Sequence, residues 1–216
     1  MNDIADFKGN VKAIPTDIYW DKRANEAYPT WRDNLEEWVK IGSDFPYHYL
    51  GSTITFTKIG RALGQAMGER GLGLVYGAGN IGLMGVLADA ALAAGGTVAG
   101  VIPQKLVERE LAHQGLTELH VVHTMHERKA KMHELSDAYI ALPGGIGTME
   151  EFFEAVTWRQ LGYHDKPIAL FNVGGFYDGI DGVFATMERD GFLHSDHRDL
   201  FFIESDAARL LDCLVG

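Results

Sequence analysis

The sequence predicts an α/β protein with a doubly wound parallel sheet and helices on both faces. Three observations carry that expectation. Short apolar runs at residues 72–76, 97–102, 138–142 and 167–171 alternate with longer stretches of helical spacing. These runs are apolar throughout instead of alternating with polar residues, which is the pattern of strands buried on both faces. Two of the runs pass straight into glycine-rich turns that open a helix, Gly77-Ala78-Gly79-Asn80-Ile81-Gly82 and Pro143-Gly144-Gly145-Ile146-Gly147-Thr148.

In chain order, residues 1–45 form an N-terminal segment, expected to be partly helical near 31–41, where Trp31, Leu35 and Trp38 share a face. Residues 46–216 are expected to form one Rossmann-like domain. Residues 11–14 and 47–50 compete as the first strand. From Thr57, the stripe Ile59, Leu63, Ala66 and Met67 predicts a helix that stops at Gly71. The strand at 72–76 leads into an Ala-rich helix closed by Gly95-Gly96, and the strand at 97–102 is broken by Pro103. An irregular piece, 104–117, precedes a strand at 118–122 and a helix from about Met125 to Leu135. The strand at 138–142 feeds the second glycine turn, behind which Phe152, Phe153, Val156 and Leu161 recur at helical spacing. A strand at 167–171, a helix over 176–189, a strand at 200–203 and a helix capped by Ser205 complete the chain.

Bulk properties bound the function. A chain of 216 residues has material for one large core. Its net charge of −11 argues against a nucleic-acid partner, whose non-specific affinity rests on Lys and Arg neutralising phosphates. A small phosphorylated ligand needs only a local positive site. The single cysteine, Cys213, forms no internal disulfide and is expected to be a buried structural thiol. No apolar run approaches the ~18 residues of a membrane span, and Asp3, Asp6 and Lys8 stand where a signal core would be apolar. A cytoplasmic protein with no membrane partner is the expectation.

The chemistry concentrates on the second glycine turn. Glycines let something approach the backbone with no Cβ in the way. Thr148 is expected at the helix N-cap, where the free N–H groups of the first turn favour an anion. Glu150 and Glu151 lie at its rim. The Gly-Lys-Ser/Thr ending of a nucleoside triphosphate loop is absent. The first turn matches the dinucleotide pattern Gly-x-Gly-x-x-Gly. However, no acid stands at the end of the next strand, Val101-Ile102-Pro103-Gln104, to hold ribose hydroxyls. Tight packing and close approach of a mononucleotide fit those glycines better. Arg128 and Lys129 are adjacent cations just after a strand end, the edge where parallel sheets bind ligands. The pairs His126/His133 and His194/His197 lack metal-site spacing and a third ligand, so no metal is expected.

Met125-His126-Glu127-Arg128-Lys129 followed by Pro143-Gly144-Gly145-Ile146-Gly147-Thr148-Met149-Glu150-Glu151 resembles the Lonely Guy family. These are the cytokinin riboside 5'-monophosphate phosphoribohydrolases, often labelled lysine decarboxylases by mistake. The likeness extends through residues 71–85, 157–162 and 170–177. It implies a Rossmann-like homodimer, without a cofactor, that hydrolyses the N-glycosidic bond of an adenine-type nucleoside monophosphate to free base and ribose 5-phosphate. Bacterial relatives often accept AMP as well as N6-prenylated forms. Carried over by position, Arg128 and Glu151 match the catalytic pair. Glu110, Lys129, Gly144, Gly145, Ile146, Gly147, Thr148, Met149, Glu150 and Thr157 match the nucleotide contacts. Family members also begin with an apolar strand ending in a Gly-Ser turn, for which Leu50-Gly51-Ser52 and Ile41-Gly42-Ser43 are the candidates here. A nucleotide-binding or sensing module on the same fold, without turnover, is the alternative. Nothing in the sequence reads as a pyridoxal phosphate site for lysine decarboxylation.

Overall fold

The computed structural model describes residues 10–14, 47–80, 82–107, 112–194 and 199–215. Seven parallel strands form one sheet: β1 (Asn10–Ile14), β2 (Gly73–Tyr76), β3 (Val98–Pro103), β4 (Glu118–Val122), β5 (Ala138–Ala141), β6 (Ile168–Phe171) and β7 (Phe202–Glu204). The helices between them are α1 (Tyr47–Glu69), α2 (Gly82–Ala93), the short α3 (Gln104–Val107), α4 (Met125–Leu135), α5 (Ile146–Gln160), α6 (Ile180–Arg189) and α7 (Ala207–Val215). The strand order is β4-β3-β2-β1-β5-β6-β7. The chain therefore winds outward from β1 in one direction and restarts beside β1 with β5 in the other.

Alternate residues of each buried strand face opposite layers, so one strand feeds two cores. On one face Leu74, Tyr76, Ile140, Ala169 and Phe171 pack under α1, α2 and α7, where Leu63, Met67, Leu87 and Leu210 lie. On the other, Tyr139, Ala141, Ile168 and Leu170 meet Phe152 and Val156 of α5, while Val75 and Val101 meet Met132 of α4. That is the doubly wound sheet with helices on both faces.

The structure decides between the two candidate first strands. Residues 11–14, one of the two candidates, are the first strand, and they occupy the centre of the sheet between β2 and β5. Residues 47–50, the other candidate, begin α1 instead. Leu50-Gly51-Ser52 therefore sits in a helix and not at a strand end. The expected boundary between residues 45 and 46 falls between β1 and α1, so the sheet draws on both sides of it. Ile41-Gly42-Ser43 and the helix expected near 31–41 lie outside the described residues.

A glycine row sets how closely α1 approaches α2. A Cβ on Gly64 would stand 2.4 Å from the Leu87 carbonyl oxygen, and one on Gly68 would stand 2.7 Å from that of Ala91. Gly64→Ala gains about 1 kcal/mol of helix propensity. It must also push backbone away from backbone, an overpacking cost of about 1–3 kcal/mol. The clash outweighs the propensity, so the expected result is a melting temperature lower by several degrees in a thermal unfolding scan.

At the C-terminus, Asp206 and not Ser205 caps α7: its Oδ1 accepts from the Arg209 N–H at 2.9 Å. Leu210, Leu211 and Leu214 take the inner side, which leaves Cys213 exposed rather than buried. Among the described residues, no helix is long and apolar enough to cross a membrane.

Candidate active site

Ligands of open parallel sheets bind beyond the C-terminal strand ends, where the strand order reverses. Here that crevice lies between β1 and β5, and Leu142-Pro143-Gly144-Gly145 leads from β5 over it into α5. The cap of α5 is Gly145, in extended conformation and making no side-chain cap hydrogen bond. Thr148, expected at the cap, lies inside the first turn and is buried. The first-turn amides thus lack a competing side-chain acceptor at the cap, which suits an anion. The left-handed glycines among the described residues lie elsewhere, at positions such as Gly71 and Gly174. Gly144, Gly145 and Gly147 are therefore there for close approach, not for an unusual φ.

A buried clamp fixes the start of this loop. Tyr177 Oη donates to the Leu142 carbonyl at 2.6 Å, and burial raises the phenol pKa, which keeps the proton in place. The Tyr177 N–H is held by Asn172 Oδ1 at 2.8 Å, on a turn where Gly174 and Gly175 have φ of 61° and 75°. Tyr177→Phe removes one bond from a buried carbonyl, a cost of about 1–3 kcal/mol. We expect it to loosen the loop and raise KM for a phosphorylated substrate more than it lowers kcat.

Arg128 and Lys129 begin α4 beside the crevice. Thr124 Oγ1 accepts from the Glu127 N–H at 3.1 Å, and Glu127 Oε2 accepts from the His123 N–H at 2.8 Å. Thr-x-x-Glu is the sequence signature of such a cap, although here the glutamate reaches the N–H of the residue before Thr124. Arg128 is 5% exposed, and its Nη2 donates to the Gly77 carbonyl at 3.1 Å. A Cβ on Gly77 would stand 1.9 Å from that nitrogen. The first glycine of the dinucleotide-like pattern is thus a seat for the arginine.

Lys129 Nζ donates to Glu150 Oε1 at 2.7 Å and to Glu154 Oε1 at 2.8 Å, joining α4 to α5. Burial works against its charge, but the two hydrogen bonds and the negative charges of Glu150 and Glu154 outweigh it, and the Lys129 pKa rises. Glu151 is 6% exposed and lines a small cavity with Lys129, His133, Tyr139, Glu154 and Trp158. The structure therefore gathers Gly144 to Thr148, Lys129, Glu150 and Glu151 around the start of α5, with Arg128 next to Lys129. Met149 packs into the core beneath. Thr157 is exposed two turns further on, away from Glu151, and Glu110 lies outside the described residues. Glu154 and Tyr177 carried no signal of their own in the sequence. His133 is tied to Tyr139 by a hydrogen bond, while His126 is exposed.

A glycine turn that opens a helix and a buried carboxylate thus stand together at the reversal of a parallel sheet, the place where α/β proteins of this class bind their ligands. Residues 84–214 match a family model described as possible lysine decarboxylase. The chain is 50% identical over 144 residues to a cytokinin riboside 5'-monophosphate phosphoribohydrolase of Rhodococcoides fascians, covering 66% of this chain and 73% of that protein. It is 45% identical over 161 residues to a probable enzyme of the same name from Oryza sativa subsp. japonica, covering 74% and 72%. With the enzyme of that name from Arabidopsis thaliana it shares 42% over 164 residues, covering 76% and 77%. The chain belongs to the Lonely Guy family of phosphoribohydrolases. Among solved structures, a molybdenum cofactor binding protein of Rippkaea orientalis has the same fold at 19% identity and a TM-score of 0.60, covering 94% of this chain and 92% of that one. The molybdenum cofactor carrier protein of Chlamydomonas reinhardtii matches at 16% identity and 0.58, covering 95% and 95%.

Proposed function

We propose that the protein hydrolyses the N-glycosidic bond of adenine-type nucleoside 5'-monophosphates, taking cytokinin riboside monophosphate and AMP, and releases free base and ribose 5-phosphate. The observation that carries this reading is the burial of Glu151 five residues beyond the start of α5. That is roughly 7–8 Å along a helix, comparable with the reach from a 5'-phosphate to the anomeric carbon of its ribose. A phosphate on the amides of Ile146 to Thr148 would bring that carbon beside the carboxylate.

Breaking the bond between the anomeric carbon and the base nitrogen leaves a cation-like sugar, as in glycoside hydrolysis. Glu151 stabilises that charge and accepts a proton from the attacking water. The water oxygen bonds to the carbon, the base departs with the bonding pair and takes up a proton from solvent, and Glu151 then returns the water's proton to solvent. Arg128 does not readily give up a proton, so it holds an anion or hydrogen-bonds the leaving base. Lys129, Glu150, Glu110 and Thr157 complete the nucleotide contacts by resemblance. No cofactor enters this mechanism. A cytoplasmic homodimer is part of the same reading. Exposed Ile146, Leu161 and Tyr163 on α5 and the turn after it are the surface a second copy would cover.

The test is product analysis with AMP, N6-prenyl-AMP and the dephosphorylated nucleosides. Free base from the monophosphates but hardly from the nucleosides is expected. Monophosphates that raise the melting temperature yet are recovered intact would instead select the binding module.

A further inference from the structure

Lys129 has three N–H donors, and two of them go to carboxylates one helical turn apart, Glu150 and Glu154. Glu151 stands between those two in sequence and shares a cavity with Lys129 and Glu154. Glu150 is more than half exposed, whereas the side chains of Glu154 and Lys129 are 25% and 14% exposed. An exposed pair alone holds a lysine only weakly. The half-buried partner is what fixes the ammonium.

We propose that Glu154, which no sequence motif assigns, is a positioning residue: it anchors Lys129 at the level of Glu151 and thereby sets how readily Glu151 takes a proton. The inference rests on the hydrolase reading above. Behind Glu154, Tyr139 shares a hydrogen bond with His133, and the His133 carbonyl accepts from Lys166 Nζ at 2.6 Å. The His133 ring packs on Tyr139, Trp158 and His164 with centroids 5.0–5.9 Å apart, and His133, Tyr139 and Trp158 line the cavity with Glu154. The titratable and charged groups that face it or line its cavity are Lys129 and His133 from α4, Glu150 and Glu151 from α5 and Tyr139 from β5, with His164 packed on His133 and Lys166 bonded to its carbonyl. One ammonium is thus held by Glu150 and Glu154 beside the cavity that Glu151 lines. Removing the Glu154 charge relieves repulsion on Glu151 and leaves more of the Lys129 charge to it. Both effects make Glu151 a weaker base.

The experiment compares wild type with Glu154→Gln, which keeps the size and a hydrogen-bond acceptor but not the charge. Three results are expected. First, kcat falls about tenfold with KM within about twofold. Second, the acid limb of the kcat profile moves to lower pH. Third, the Lys129 ammonium, followed by NMR, titrates at lower pH than in wild type. Glu154→Asp recovers part of each, and it decides the matter should the Gln protein fold poorly. Glu134→Gln breaks an exposed pair with Lys131 on the outside of α4 and should change none of them. An acid limb that stays in place or moves up, or an unmoved Lys129 titration, overturns the proposal. If wild type releases no base from any monophosphate, the hydrolase reading falls. The Lys129 titration then still decides whether Glu154 holds the ammonium.

Discussion

Glu151→Gln should lose about 10²–10⁴-fold in kcat, the range expected for a positioned acid–base group, while still binding AMP. The amide has nearly the same shape as the carboxylate, so a group that is 6% exposed is replaced without a cavity. What disappears is the negative charge facing the sugar cation and the acceptor for the water proton. Nucleotide affinity, which this reading places mainly on the amides of α5, should change little. Single-turnover measurement with AMP, beside a thermal-shift titration, separates the two. Near-wild-type turnover would remove Glu151 from this role.

Gly77→Ala should cost as much activity as Arg128→Lys, although it deletes no functional group. The new methyl would occupy the place of Arg128 Nη2, so the guanidinium must shift and give up its bond to the Gly77 carbonyl. Arg128→Lys keeps the charge but loses the planar fork that spans from α4 to the Gly77 carbonyl. Each change should lower kcat/KM on the order of 10²-fold. The double variant should be hardly worse than either single one, because both break the same contact. Additive losses would show that Gly77 serves the nucleotide directly, as the dinucleotide-like pattern of the turn first suggests.

That glycine shows where the sequence was legible and where it was not. Apolar runs such as Leu74 to Tyr76 and Ala138 to Ala141 announce buried parallel strands because nothing in them has to face water. The loop after β5 was equally plain, since few roles besides a backbone cradle call for so many glycines. The start of α1 was hidden because residues 47–57 carry two tyrosines, three threonines, Ile54 and Phe56, whose local preference is for strand. The cap was misplaced because Gly145 can end the extended segment with no side chain at all, which leaves Thr148 free to be buried. Cys213 was read from its apolar neighbours, yet on a helix those neighbours define the inner side and turn the residue between them outward. Partners that meet only through the fold, such as Lys129 with Glu154 or Tyr177 with Leu142, leave no local trace. Their spacing along the chain says nothing of the distance between them.

The placement of β1 has a consequence for synthesis. Val11 registers with Ala138, so the middle of the sheet joins the first strand to one made long afterwards. A ribosome adding about 5–20 residues per second leaves the β5-facing side of Asn10–Ile14 unmatched for several seconds at least. Loop closure over that span is slow and entropically costly. Until residues 138–141 follow, that edge of β1 has no partner within its own chain, and pairing with a strand of another molecule competes with folding.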